Sequence, residues 1–308
     1  MDNWNNNEQS TCIWSHQTEL LKEPLLLRLR DDHELSKLSV DMFSAIYEYM
    51  QKCTNDRCSK YYKVELTGKI FRPALQHEAL KDELYCQIMK QLTNNVNEDS
   101  YQQGWELMFL CTSLFSCSED LLKEVMLFCV TWSEYEKMAM KSLTYLRETV
   151  QTGPRHYPPH FVEFAAATKQ CQSILHKVYF PDSTSKNFEV TPRTKVKDMK
   201  RSIIKRLGLA NGEGYSLFIQ VFSKIVVIDS KEFVFDGIQQ WTQIVEHRLP
   251  EPAVYNKAKG IPYKLMFLRR VWKEINPGND TIADAVFLYP QVSGTLCILV
   301  DFVMKAFG

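Results

Sequence analysis

The 308-residue chain lacks the usual marks of an active site. It holds no Gly-x-x-x-x-Gly-Lys-Ser/Thr phosphate loop, no Gly-x-Ser-x-Gly elbow, no His-Glu-x-x-His zinc motif and no kinase set. It lacks net charge as well: 37 Lys+Arg balance 37 Asp+Glu, which argues against a generally basic nucleic-acid binder. No run approaches the ~18 uncharged apolar residues that a membrane span needs. Residues Met1 to Asn7 carry neither a basic nor an apolar signal-peptide region, so no secretory leader is expected. The nine cysteines are odd in number and scattered, and Cys111 and Cys129 sit inside apolar runs. That pattern fits small buried hydrophobes in a reducing compartment better than a disulfide framework. The expectation is an intracellular, soluble chain with no cofactor and no catalytic residue.

What is present is an ordinary globular composition, 45% hydrophobic and 24% charged, and a length that suits about two domains. The neutral total hides a split. Residues 1–150 hold 16 Lys+Arg against 23 Asp+Glu, a net of −7; residues 151–308 hold 21 against 14, a net of +7. Two units with different surfaces are expected.

From Leu20 to about Leu146 the apolar spacing is helical. Val40, Phe43, Ile46, Tyr47 and Met50 mark one helix. Leu80, Leu84, Ile88 and Leu92 mark a second, and 105–115, apolar nearly all round, a buried third. Leu121 to Cys129 and Leu143 to Val150 mark two more. Prolines 154, 158 and 159 then break the pattern, and a short helix over 162–173 is expected to follow. Beyond it the pattern is mixed. A hairpin is expected over 175–190, a helix after a Thr194 cap that stops at Gly208, and strands at 215–222 and 224–228. A helix opened by Asp236 and a strand at 263–272 complete the set. That order is the order of a ubiquitin-like β-grasp. Pro277-Gly278-Asn279-Asp280 forms a turn before a helix begun at Ile282.

Several segments resemble a known family. His77 to Thr93 and Gly104 to Phe115 look like two helices of the myosin-tail-homology-4 (MyTH4) domain. Tyr157, Pro158, Pro159 and His160 resemble the joint between that domain and a FERM domain. His176 to Asp182 resembles the opening strand of the ubiquitin-like first FERM lobe. Residues 277–284 resemble the entry to the helical second lobe. The likeness covers about residues 14–290 and is to the tail of a class VII unconventional myosin. It implies a multidomain α and α+β chain: a flexible N-terminus (1–13), an all-α MyTH4 domain (14–156) and a joining helix (157–174). A β-grasp lobe (175–273), a stub of the second lobe (274–290) and a non-family tail (291–308) would follow. The third FERM lobe and a motor are not represented, so a short isoform or a truncated gene model is one reading of the sequence. A motor-free MyTH4–FERM adaptor is another.

The implied function is interaction with adaptor or cargo peptides and with microtubules or actin-associated filaments, and the implied location is cytoplasmic and cytoskeletal. The strongest charge feature is Arg193, Lys195, Lys197, Lys200, Arg201, Lys205 and Arg206, opposed only by Asp198. It is expected to form a basic ridge about 15 Å long for an acidic partner surface or anionic lipid; a merely solvated helix face is the alternative. A second cluster, Lys52, Arg57, Lys60, Lys63, Lys69 and Arg72, reads either as a filament contact or as an exposed interhelical loop. Cys53/Cys58 and His156/His160 have pair spacings that zinc could use, but they lie far apart, so no metal is expected. Lys81-Asp82-Glu83 reads as an exposed helix face, because adjacent carboxylates point about 100° apart. Asn211 to Gly214 reads as a turn. Trp105 and Trp241 are expected in the core, and Trp272 in the core or against a second FERM lobe.

Overall fold

A computed structural model describes residues 15–52, 59–171, 173–248, 260–272 and 276–293. The chain folds as two compact units, Met1–Pro154 and Arg155–Gly308.

The first unit is helical: α1 (His33–Tyr47), α2 (Lys60–Gln76), α3 (Ala79–Leu92), α4 (Glu98–Leu114), α5 (Glu119–Trp132) and α6 (Lys137–Thr152). Polar residues start most of them. Asp32, Ser59, Asn97 and Glu136 each accept a backbone N–H of the first turn. Helix α2 carries Lys60, Lys63, Lys69 and Arg72 and has Pro73 in its last turn, and its buried stripe is Leu66, Ile70, Phe71 and Ala74. Helix α4 is the buried centre of the unit, with Trp105, Leu107, Met108, Leu110 and Leu114 all inside. Trp105 stacks on Phe128 with centroids 5.7 Å apart.

The triplet Lys81-Asp82-Glu83 is not an exposed face; all three residues are buried. The 100° between neighbours sends the carboxylates to different partners. Glu83 accepts from the Leu25 and Leu26 amides at 2.9 and 2.8 Å, from the Ser39 hydroxyl at 2.8 Å and from Gln87. Asp82 accepts from the Ser118 amide and hydroxyl, both at 2.7 Å, and from Arg28. Burying a carboxylate is costly unless several donors replace its water. Here the two carboxylates tie the arm before α1 and the α4–α5 loop to α3.

The second unit contains α7 (Phe161–Thr168), β1 (Ile174–Tyr179), β2 (Ser185–Val190), α8 (Val196–Leu207), β3 (Tyr215–Val221) and β4 (Lys224–Val227). Helix α9 (Val234–Glu246), β5 (Tyr263–Arg269) and the short α10 (Thr281–Ala283) complete it. Helical backbone continues after α10 to residue 293, through a π-turn at Asp284–Leu288. The sheet order is β2-β1-β5-β3-β4. Strand β1 runs parallel to β5, and the other pairs are antiparallel. Alternation along β3 sends Tyr215, Leu217, Ile219 and Val221 inward, into a core shared with Val196, Met199 and Ile203 of α8.

Three local expectations are corrected. Thr194 does not cap α8: its hydroxyl accepts from the Thr191 amide. The first α8 amides instead donate to the carbonyls of Glu232 and Ser230. Asp236 does not cap α9; it lies inside the first turn and is buried. The last strand stops at Arg269, because the Arg270 and Val271 amides both turn to the Gly214 carbonyl. Trp272 therefore lies beyond the ladder and is 41% exposed. Gly208 does end α8, in the left-handed conformation (φ 75°) that favours glycine. The segment after β5 returns to the sheet. Phe287 is fully buried among Phe180, Tyr215 and Phe267, and the Gln291 amide pairs with both backbone groups of Arg269.

Candidate interaction surfaces

The cations of this run differ in exposure and partners. Lys197, Arg201 and Lys205 are exposed and spaced four apart, so they form one row along the helix. The acid beside them, Asp198, is bridged to Arg201 at 2.9 Å. Arg206 is exposed, but it donates to the Asn187 carbonyl at 2.6 Å and lies over the Phe188 ring. Lys200 is half-buried, and burial lowers its pKa. Arg193 corrects the sequence reading: it is buried, with its guanidinium 4.3 Å from the Phe233 ring centre. Lys195 lies over the same ring at 5.1 Å. The physical reason is the bridge that pairs Lys195 with Phe233 and draws the start of α8 against that of α9. The outward ridge is thus three side chains long, with Arg206 at its end.

In the second cluster, Lys60, Lys63, Lys69 and Arg72 lie on α2, not on a loop. Lys69 bridges Glu65 at 3.2 Å. Lys63 lies 5.6 Å from the Tyr49 ring centre and pulls down the pKa of Glu106, which burial nevertheless raises. Lys60 and Arg72 are exposed. Arg57, Cys53, Cys58 and the Lys52 side chain lie outside the described residues. Among the described residues no group of His, Cys, Asp and Glu is placed to hold a metal ion. No helix among them is long and apolar enough to cross a membrane.

The segment expected to be an interdomain joint is built on a residue that spacing did not single out. Arg155 is fully buried. Its guanidinium donates to Asp236 at 2.7 Å and to both oxygens of Glu163. The second Asp236 oxygen accepts the His156 amide at 2.8 Å, and Glu163 accepts the His160 amide at 2.8 Å. Both acids sit in the first turn of a helix, α9 and α7, where the helix dipole favours negative charge. Arg155 therefore joins two helix starts within the second unit. The flanking carboxylates raise its pKa although burial opposes them. Pro158, Pro159 and His160 are buried and Tyr157 is half-buried. The His160 ring caps α7, meets Tyr263 edge to face, and is held at a pKa of about 3 by burial, with help from His176 and Arg155. His176 in turn bonds Tyr263 at 2.8 Å. A sequence signal existed: an arginine before Pro-Pro, with acids at the third positions of two later helices.

Helical bundle and β-grasp together define a class. Family models described as MyTH4 domain and RA like domain match residues 67–166 and 172–271, the order in which a MyTH4–FERM tail begins. Drosophila melanogaster myosin-VIIa is 38% identical over 287 residues, 92% of this chain. Mus musculus unconventional myosin-VIIb is 35% identical over 281 residues, 91% of this chain. The chain spans 13% of the length of each. The solved C-terminal MyTH4–FERM domain of human myosin 7b, in complex with a harmonin-a PDZ3 domain, superposes with a TM-score of 0.82. It shows 39% identity and covers 91% of this chain and 56% of that one. The chain belongs with the MyTH4–FERM tail segments of class VII unconventional myosins.

Proposed function

We propose that this segment is a non-catalytic protein-interaction module of a myosin tail, and that acidic stretches of adaptor or cargo proteins dock along α8. The carrying observation is the exposed row Lys197, Arg201 and Lys205, with Asp198 as the acid set against it. Such a row steers acidic ligands, and its pull fades within about 8 Å at physiological salt. A protein partner is also supported by the human relative's complex with a PDZ domain. The kinship with myosin tails also supports a cytoplasmic, cytoskeletal setting.

The test is calorimetric titration of the chain with harmonin-a PDZ3 and with an acidic probe peptide, Ac-Glu-Glu-Gly-Glu-Glu-Gly-NH2. The triple variant Lys197→Glu, Arg201→Glu, Lys205→Glu should lose peptide binding and keep its far-UV spectrum. Equal peptide affinity in the variant would sink the α8 reading. Polymerised tubulin and phosphatidylserine vesicles are parallel arms: salt-sensitive binding to one of them, with none to peptide or PDZ domain, would replace the peptide partner by a filament or a lipid surface.

A further inference from the structure

A cleft of about 470 Å³ opens in the second unit between the start of α8, the face of α9 carrying Trp241 and the loop from β4 to α9. That volume lies within the range of small-ligand sites. Its apolar lining includes Val196, Leu217 and Ile228, all buried. Its lining carries charge of both signs: Lys200 of α8 and Arg270 just after β5, with Asp229 and Glu232 from the β4–α9 loop.

We propose that this cleft binds a zwitterionic group, a carboxylate and an ammonium or guanidinium held a few ångströms apart, from a partner peptide or a free amino acid. Lys200 is half-buried and makes no hydrogen bond or ion pair with another described residue. Arg270 forms no such bond through its side chain, and neither does Glu232 through its carboxylate. Cation and anion line one cleft without pairing. Charges drawn partly out of water without partners are costly, and a ligand of opposite polarity at each end removes that cost. The shifts agree with this account. Burial lowers Lys200 against the opposing pull of Glu213, which does not line the cleft, and burial followed by Asp229 and Asp236 raises Glu232. The walls are tied together, since the Val196 and Lys197 amides donate to the Glu232 and Ser230 carbonyls at 2.9 and 3.0 Å. The half-buried indole of Trp241 offers a face to a guanidinium or an aliphatic stem. The ligand carboxylate would meet Lys200 and Arg270, and its cation Glu232 and Asp229. None of Lys197, Arg201 and Lys205 lines the cleft, so this site and the α8 row stand or fall separately.

The experiment is a TROSY titration of the whole chain, read at the Trp241 indole N–H. The probes are Ac-Gly-Arg-Gly-Glu-Gly-NH2, the same peptide with both charged residues replaced by Gln, and free L-leucine. A saturable shift with the charged peptide or with leucine, at least tenfold weaker with the neutral peptide, is expected. Saturation by the peptide alone assigns a partner segment; saturation by leucine alone assigns a free amino acid. Lys200→Met and Glu232→Gln should each weaken binding at least tenfold with a dispersed spectrum. Arg270→Gln, at an exposed position, serves if either of those fails to fold. The triple α8 variant should bind within twofold of the parent. No saturable shift with any probe, or equal binding of the neutral peptide, or unchanged affinity in the charge variants, overturns the proposal.

Discussion

Replacing Arg155 by alanine tests whether the segment before α7 is held by a buried ion triad. Arg155 is wholly inaccessible, and the side chains of Glu163 and Asp236 are 1% and 4% exposed. Removing the arginine leaves two carboxylates facing each other's field out of water. Breaking a buried pair on one side costs about 3–5 kcal/mol. At about 1.4 kcal/mol per tenfold, amides of β1 and β5 should then exchange with solvent roughly a hundredfold to several thousandfold faster. Exchange is the suitable assay because it reads the second unit alone. Raising the salt from 0.1 to 1 M should leave the loss nearly unchanged, since buried pairs are little screened. The triple variant Arg155→Met, Glu163→Gln, Asp236→Asn carries no buried charge and should lose much less than the single one. Exchange in Arg155→Ala within threefold of the parent, or a triple variant as damaged as the single one, would refute the reasoning.

Other consequences follow from the same structure. The folded pKa of His160, about 3, lies below the unfolded value near 6.5, so the fold holds the neutral ring. Its stability is therefore complete above pH 6.5 and is lost as pH falls toward 3, by about 2 kcal/mol between pH 6.5 and 5. His160→Asn keeps a capping side chain and should flatten that slope in exchange measured at pH 7 and 5. Glu83→Ala strands the Leu25 and Leu26 amides and Ser39; trypsin should then cut at Lys22, Arg28 and Arg30 at least tenfold faster, and an unchanged digest would contradict that role. A Cβ at Gly104 would stand 2.7 Å from Leu92 and 2.8 Å from Met50, so Gly104→Ala should cost about 1–3 kcal/mol in a urea melt of the first unit. Phe287→Ala empties a ring-lined site and should cost about 3–5 kcal/mol, seen as lost protection in residues 281–293.

The legible parts of the sequence were those in which one physical preference acts alone. The four-residue spacing of Leu80, Leu84, Ile88 and Leu92 marks the apolar stripe of α3, although its polar residues Lys81, Asp82 and Glu83 are buried as well. The period-2 pattern of Tyr215, Leu217 and Ile219 marks β3, and Gly208 ends α8 because glycine fits its left-handed turn. Legibility failed where tertiary partners outweigh local preference. The caps Thr194 and Asp236 were plausible locally, but the carbonyls of Ser230 and Glu232, and the guanidinium of Arg155, lie tens of residues away in sequence.

The same distinction explains the sites. A run of cations shows in sequence, but the neighbours that remove some of them from the surface do not. Arg193 and Lys195 look equivalent to Lys197 until Phe233 folds beneath the first two. Glu83 and Asp82 look like a solvated face until the arm at Leu25 and the loop at Ser118 close over them. Charged residues at helix spacing therefore define an upper limit for an exposed surface, and the fold subtracts from it whichever side chains can reach a ring, a carbonyl or a buried counter-ion. What that subtraction leaves on α8 is Lys197, Arg201 and Lys205. It also leaves Lys200 half-buried in a cleft that Glu232 lines, with no bond between the two.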